Sequence, residues 1–223
     1  MPSLFIATGN AHKIDELRRL LGSDFNCRSQ RDIGSNLAIE ETGKSFAENA
    51  CLKGVAWAAH LSASTVAGTV DWVLADDSGL EVDALGGAPG ILSARFAAAD
   101  EGRSGNSSDA ENNAKLLRLL ANVPTGQRGA RFRCVLAMTP IGLNPAAVSV
   151  LSASTRYFEG SCDGHILMQP AGCGGFGYDP LFVPDGQSAS FAALGDTIKN
   201  SISHRARAVM KLRRFFSETS RHG

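Results

Sequence analysis

The 223-residue chain balances 22 basic against 22 acidic residues, which argues against a protein coated in positive charge for nucleic acid or for an anionic membrane. A 43% apolar and 20% charged composition is that of an ordinary globular protein, long enough to bury a substantial core as one large domain or two joined lobes. The opening MPSLFIATGNAHK lacks the basic and long apolar segments of a signal peptide, and no apolar run reaches the roughly 20 residues that cross a bilayer. A cytoplasmic protein is the expectation. Its cysteines, Cys27, Cys51, Cys134, Cys162 and Cys173, are odd in number, widely spaced and never in a CxxC pair, which suits reduced thiols better than disulfides or zinc.

In chain order, the apolar residues 4–7 ahead of Thr8-Gly9-Asn10 predict a buried strand with a turn behind it. Ile14, Leu17, Leu20 and Leu21 recur at helical spacing, with Gly22 as the stop. Residues 42–61 read as a second helix and 65–70 as a flexible connection. Residues 72–75 read as a strand ending in an acidic turn at Asp76-Asp77-Ser78-Gly79, because Asp-Ser-Gly is good turn chemistry. Leu80, Val82 and Ala84 then alternate with Glu81, Asp83 and Leu85, predicting a second extended segment.

Residues 100–108 are loop-like, and 110–121 return to helix. Residues 130–139 and 146–158 read as the long strands of an antiparallel hairpin, turned by Pro140, Gly142, Asn144 and Pro145. Residues 170–186 form a loop enclosing a short strand, and a last helix spans 203–216 ahead of a basic, mobile tail. No internal repeat is present. The fold class this implies is α/β, a central twisted mixed sheet with flanking helices and two lobes around a cleft.

Four stretches could carry chemistry. In Thr8-Gly9-Asn10-Ala11-His12-Lys13 a strand feeds a glycine turn and then a helix, whose first N–H groups and positive dipole end suit an anion. Lys13 adds a mobile cation; the Walker spacing is absent, and a plain strand–helix turn is the alternative. Glu40-Glu41-Thr42-Gly43 sets two carboxylates before a helix, either as cap and dipole partners or as ligands of a hard divalent cation. At the acidic turn, a strand that ran on would point Asp76 and Asp77 to opposite faces. One of them is therefore expected to face the cleft as ligand or base, and the other to support it or cap the turn. Ser78 and Gly79 would let a ligand approach the backbone, whereas Glu81 and Asp83 read as solvent-facing.

The fourth set lies far along the chain. Gly174-Gly175-Phe176-Gly177-Tyr178-Asp179-Pro180 offers flexible backbone, two aromatic faces and a carboxylate. Such rings stack on a nucleobase or fill a core corner. Lys199 and Ser203-His204-Arg205 supply donors for phosphate or for a keto oxygen on a base. Lys53 and Arg95 read as surface or salt-bridge cations. Hard-metal carboxylates, anion-binding groups and a base-stacking loop together are what hydrolysis of a nucleoside triphosphate requires.

The stretches TGNAHK at 8–13, EETGKSFAENACLK at 40–53, ADDSGLEVDALGGAPGILSARF at 75–96, GGFGYDPLF at 174–182 and KNSISHRARA at 199–208 resemble the inosine triphosphate pyrophosphatase (HAM1-like) family. They do so in order over almost the whole chain. The resemblance implies a single domain of two lobes, usually a homodimer, that clears dITP, ITP and XTP from the nucleotide pool. It implies that Thr8, Gly9, Asn10, Ala11, His12 and Lys13 hold the triphosphate and that Glu40 and Asp77 bind Mg²⁺. Asp77 would also accept the proton of a water attacking the α-phosphorus. Ser78, Phe176, Gly177, Tyr178, Asp179, Lys199, His204 and Arg205 would contact substrate. A Lys13→Ala change is expected to weaken substrate use and leave the fold intact. The competing readings are another metal-dependent phosphohydrolase and a nucleotide sensor indifferent to Asp77→Asn.

Overall fold

The computed structural model describes residues 1–64, 67–100, 102, 105–142 and 148–219. The expected turn at Asn144 and Pro145, parts of the 65–70 and 100–108 connections and the end of the basic tail lie outside the described residues. The apolar opening forms strand β1 (Ser3–Ala7), followed by helix α1 (Ala11–Leu21), which stops at Gly22 with a left-handed φ of 65°. Strand β2 (Asn26–Ser29) and the short helix α2 (Gln30–Ile33) lead through a loop to α3 (Phe46–Ser62). This helix starts later than residue 42 because Ser45 is its cap, its side chain accepting the Glu48 N–H.

Strand β3 (Trp72–Val82) corrects the sequence reading. The chain does not turn at Asp76-Asp77-Ser78-Gly79 but runs through it as one 11-residue strand. Turn propensity loses here to pairing: residues 72–75 lie in parallel register with 4–7 of β1, and β4 (Gly129–Pro140) is hydrogen-bonded on the other side. Between β3 and β4 come α4 (Phe96–Asp100) and α5 (Asp109–Leu119), the latter opened by a Ser108/Glu111 capping box.

A second correction concerns residues 146–158. They do not form one long strand: α6 (Val148–Ser154) precedes β5 (Arg156–Ile166). The Val-Ser-Val alternation reads as strand locally, yet a helix lets Leu151 bury completely while α6 packs against α3. The Thr155 hydroxyl donates to the Leu151 carbonyl at its end. Strand β6 (Phe182–Pro184) pairs antiparallel with β5, as the short strand expected within 170–186. Helix α7 (Phe191–Ile202), interrupted at Gly195, has no counterpart in the sequence reading, and α8 (His204–Thr219) closes the chain.

The six strands form one mixed sheet in the order β2-β1-β3-β4-β5-β6, parallel from β2 through β1 to β3 and antiparallel at β5–β6. This is the α/β arrangement with flanking helices that the sequence implied. The chain divides into two compact units: Met1–Asp77, Val135–Glu159 and Ala208–Gly223 in the first, Ser78–Cys134 and Gly160–Arg207 in the second. The first is built on Leu4, Phe5, Ile6, Trp57, Leu61, Leu74 and Leu136, with the Phe5 and Trp57 rings 4.7 Å apart. The second is built on Leu80, Phe96, Leu116, Phe132, Ile166, Phe182 and Phe191, with Phe132 edge-on to Phe182. Among the described residues no helix is long and apolar enough to cross a membrane.

Candidate active site

Two clusters of polar side chains stand out, one in each unit. In the first unit, β1 delivers the chain to Thr8, whose hydroxyl accepts the Asn10 N–H. Asn10 then caps α1, its side-chain oxygen accepting the Lys13 N–H. The first turn of α1 thus begins in a capped, glycine-led turn, with Gly9, Asn10 and His12 exposed. Lys13 is not the mobile cation expected from sequence: its ammonium lies 2.6 Å from Oδ1 of Asp76, whose side chain is 0% exposed.

Because β3 runs straight, Asp76 and Asp77 point to opposite faces of the strand. Asp76 meets Lys13 of α1, and Asp77 meets Lys53 of α3 at 3.1 Å. Lys53 also pairs with Glu41 at 2.7 Å, so one ammonium bridges two carboxylates. Burial pushes the Asp77 carboxyl above the ordinary carboxylate value; Lys53 and then Lys13 oppose this, and Glu41 adds to it. Burial alone would lower the Lys53 ammonium, but Asp77 and Glu41 outweigh it and hold its pKa up. Oδ2 of Asp77 is buried and has no hydrogen-bond partner among the described residues, an open acceptor. Glu40 is exposed in the loop before α3, while its neighbour Glu41 is the carboxylate drawn to Lys53. The loop is tied to α3 where Asn49 accepts the Gly43 N–H at 2.8 Å.

In the second unit, residues 174–179 form a turn held by Asp179, which accepts the Phe176 N–H at 2.9 Å and the Lys199 ammonium at 2.6 Å. Both members of this ion pair are buried. Gly175 adopts φ 72°, and a Cβ there would lie 2.1 Å from Asp179 Oδ2, so only glycine fits. The Phe176 ring has the Lys199 ammonium 4.5 Å from its centroid and the Arg205 guanidinium at 5.9 Å. Tyr178 is buried, its hydroxyl donating to the Ser93 carbonyl at 2.9 Å; burial, and after it Asp109, raise its pKa. His204 and Arg205 open α8. The His204 ring stacks on Phe132, 4.7 Å away and 11° from parallel, and Arg205 donates to the Ser78 hydroxyl at 2.7 Å.

The structure therefore gathers Thr8, Gly9, Asn10, Ala11, His12, Lys13 and Asp77 in one unit and Ser78, Phe176, Gly177, Tyr178, Asp179, Lys199, His204 and Arg205 in the other. Asp77 and Ser78 are consecutive residues of β3 on either side of the division. Lys53 stands in ion pairs, in line with the salt-bridge reading of the sequence, and its place beside Asp77 is what that reading does not give. A signal was available: Phe46, Asn49, Ala50, Gly54 and Trp57 are the buried stripe of α3, and Lys53 falls on that stripe. A lysine at such a position calls for a buried anion.

The two clusters differ in chemistry. The first combines carboxylates, ammonium groups and a helix N-terminus, suited to a polyanion and to a base that takes up a proton. Among the described residues no group of three or more His, Cys, Asp or Glu side chains is arranged around a metal position. The second offers an aromatic face flanked by cations, suited to a flat heterocycle with acceptor edges.

The sequence model of the Ham1 family matches residues 4–215. A dITP/XTP pyrophosphatase of Pseudomonas syringae pv. tomato is 45% identical over 213 residues, covering 96% of this chain and 96% of its own. One of Geobacillus kaustophilus is 43% identical over 213 residues, covering 95% and 93%. The solved structure of the Staphylococcus aureus Ham1 protein matches with a TM-score of 0.77 at 35% identity, covering 97% of this chain and 99% of that one.

Proposed function

Since the chain belongs to the Ham1 family, we propose that it is a Mg²⁺-dependent nucleoside-triphosphate pyrophosphatase that hydrolyses ITP, dITP and XTP to the monophosphate and pyrophosphate. Similarity to relatives called dITP/XTP pyrophosphatases supports the substrate class. The observation that carries the chemistry is Asp77: a buried carboxylate whose pKa is raised, with one oxygen paired to Lys53 and the other open.

Asp77 accepts the proton of the water that attacks the α-phosphorus. Main-chain N–H groups of the first turn of α1 and the Lys13 ammonium, oriented by Asp76, hold phosphate oxygens and steady the charge that develops on them. The open oxygen of Asp77 fits a hard cation, and magnesium is commonly held by one or two carboxylates plus substrate phosphates. Asp77 and Glu40 would hold it, Glu41 being committed to Lys53. When bound, Mg²⁺ neutralises phosphate charge and acidifies water.

Phe176 receives one face of the purine. His204, Arg205 and Lys199 present donors, which pair with the C6 oxygen of inosine or xanthosine and oppose the C6 amino group of adenosine. Each mismatched buried donor costs about 1–3 kcal/mol, so two give discrimination from tens- to thousands-fold. We also propose that the chain works as one domain and as a cytoplasmic homodimer, on the strength of the family resemblance.

Incubation with Mg²⁺ and ITP, dITP, XTP, GTP or ATP, followed by separation of pyrophosphate from orthophosphate, tests this reading. Pyrophosphate from ITP, dITP and XTP with little from ATP is expected. Orthophosphate as first product would mark a different phosphohydrolase. Tight ITP binding without products, unaffected by Asp77→Asn, would mark a sensor.

A further inference from the structure

Helix α5 sends two side chains to a single residue of the aromatic turn, Gly177, one to the peptide unit on each side of it. Oδ2 of Asp109 accepts the Gly177 N–H at 2.6 Å, and Nδ2 of Asn113 donates to the Gly177 carbonyl at 3.0 Å. Spaced i and i+4, the two residues share one face of α5. That helix is itself well fixed: the Ser108/Glu111 capping box secures its start, and Asn112 donates to the Ala94 carbonyl and accepts the Ala97 N–H. Gly177 has φ 64° and lies in a turn, so no helix or strand ladder holds its backbone.

The position of this grip matters. Gly177 links Phe176 to Tyr178. Tyr178 is anchored through Ser93, and Asp179 through Lys199. The Phe176 N–H is held by Asp179 as well, so Gly177, between Phe176 and Tyr178, is where the turn has freedom to twist, and a twist there would turn the Phe176 ring away from the cations beside it.

We propose that Asp109 and Asn113 are positioning residues for base recognition, clamping the peptide units on both sides of Gly177 so that Phe176 offers the purine a single ring orientation. This rests on the assignment of residues 176–179 to base contact. The chemistry of the clamp is asymmetric. Asp109 needs only an acceptor, which Asp109→Asn retains. Asn113 needs a donor, which Asn113→Asp removes while adding a charge that repels the carbonyl.

The test compares wild type, Asp109→Ala, Asp109→Asn, Asn113→Ala and Asn113→Asp in ITP kinetics, ITP binding by calorimetry and amide exchange over residues 174–179. Loss of one such hydrogen bond in Asp109→Ala or Asn113→Ala is expected to raise the KM and Kd for ITP roughly three- to ten-fold with kcat nearly constant. Exchange over the turn should quicken in the same variants. Asp109→Asn should stay near wild type and Asn113→Asp should match or exceed Asn113→Ala. Faster exchange with unchanged KM and Kd would overturn the proposal, as would kcat and thermal stability falling together in every variant, Asp109→Asn included. Wild-type protein that binds ITP without hydrolysing it would contradict the proposed activity instead, and the Kd series would still decide the clamp.

Discussion

At the scale of single residues, the first cluster is governed by what happens when carboxylates lose water. Asp76 is fully buried, and the Lys13 ammonium 2.6 Å away is an ion-pair partner that offsets the loss of water around its charge. Removing the lysine takes one compensating charge away from a buried carboxylate. Lys13→Ala is therefore expected to destabilise the protein by about 1.5–3 kcal/mol, the worth of a hydrogen bond to a charged group, as well as weakening substrate use. The expectation from sequence is an intact fold, and the ion pair adds a cost in stability to it. The double variant Lys13→Met/Asp76→Asn should recover most of that stability while remaining poor in catalysis. Denaturant unfolding of the three proteins checks this, and a Lys13→Ala variant as stable as wild type would contradict it.

Tyr178 makes a different kind of residue-level statement. Its hydroxyl is buried against Ser93, and burial with Asp109 nearby raises its pKa above the ordinary value of 10.0. A group whose folded-state pKa is raised contributes stability that is complete below its unfolded value and is lost as pH climbs toward the folded one. The wild type should thus lose stability progressively above about pH 10. Tyr178→Phe should flatten that loss, while costing about 1 kcal/mol at neutral pH for the missing hydrogen bond. Urea titrations at neutral pH and at several points above pH 10 check both halves, and parallel alkaline slopes for the two proteins would count against the assignment.

At the scale of elements, the decisive feature is a strand where local chemistry suggests a turn. Asp-Asp-Ser-Gly reads as a turn from its own residues, yet β3 carries straight through because β1 and β4 flank it and Lys13 and Lys53 wait for its carboxylates. Only the conditional statement, that a straight strand would send Asp76 and Asp77 to opposite faces, was available from sequence, and it describes what the structure does. Strand β1, helix α1 and the final helix were legible because apolar period and stop signals agreed there. Helix α6 was not, since Val148 and Val150 alternate with serine and the helix owes its place to one buried contact at Leu151. Helix α7 was missed because Gly195 interrupts it. The candidate site was legible as residue types and as a family pattern. Its pairings were not, because Lys13 with Asp76 joins residues 63 apart and Lys199 reaches Asp179 from a helix the sequence does not announce.

At the scale of the whole molecule, net charge is zero and says nothing about ligand. Two local concentrations of charge meet in sequence at Asp77 and Ser78. In the function proposed above, one takes phosphate and water and the other the base, with Asp77 taking the proton from a water that attacks the α-phosphorus. Hydrolysis of ITP in H₂¹⁸O, with mass analysis of both products, addresses that claim most directly. The account predicts one labelled oxygen in the inosine monophosphate and unlabelled pyrophosphate, with the reaction severely slowed in Asp77→Asn. Label in the pyrophosphate, or release of labelled orthophosphate, would contradict it.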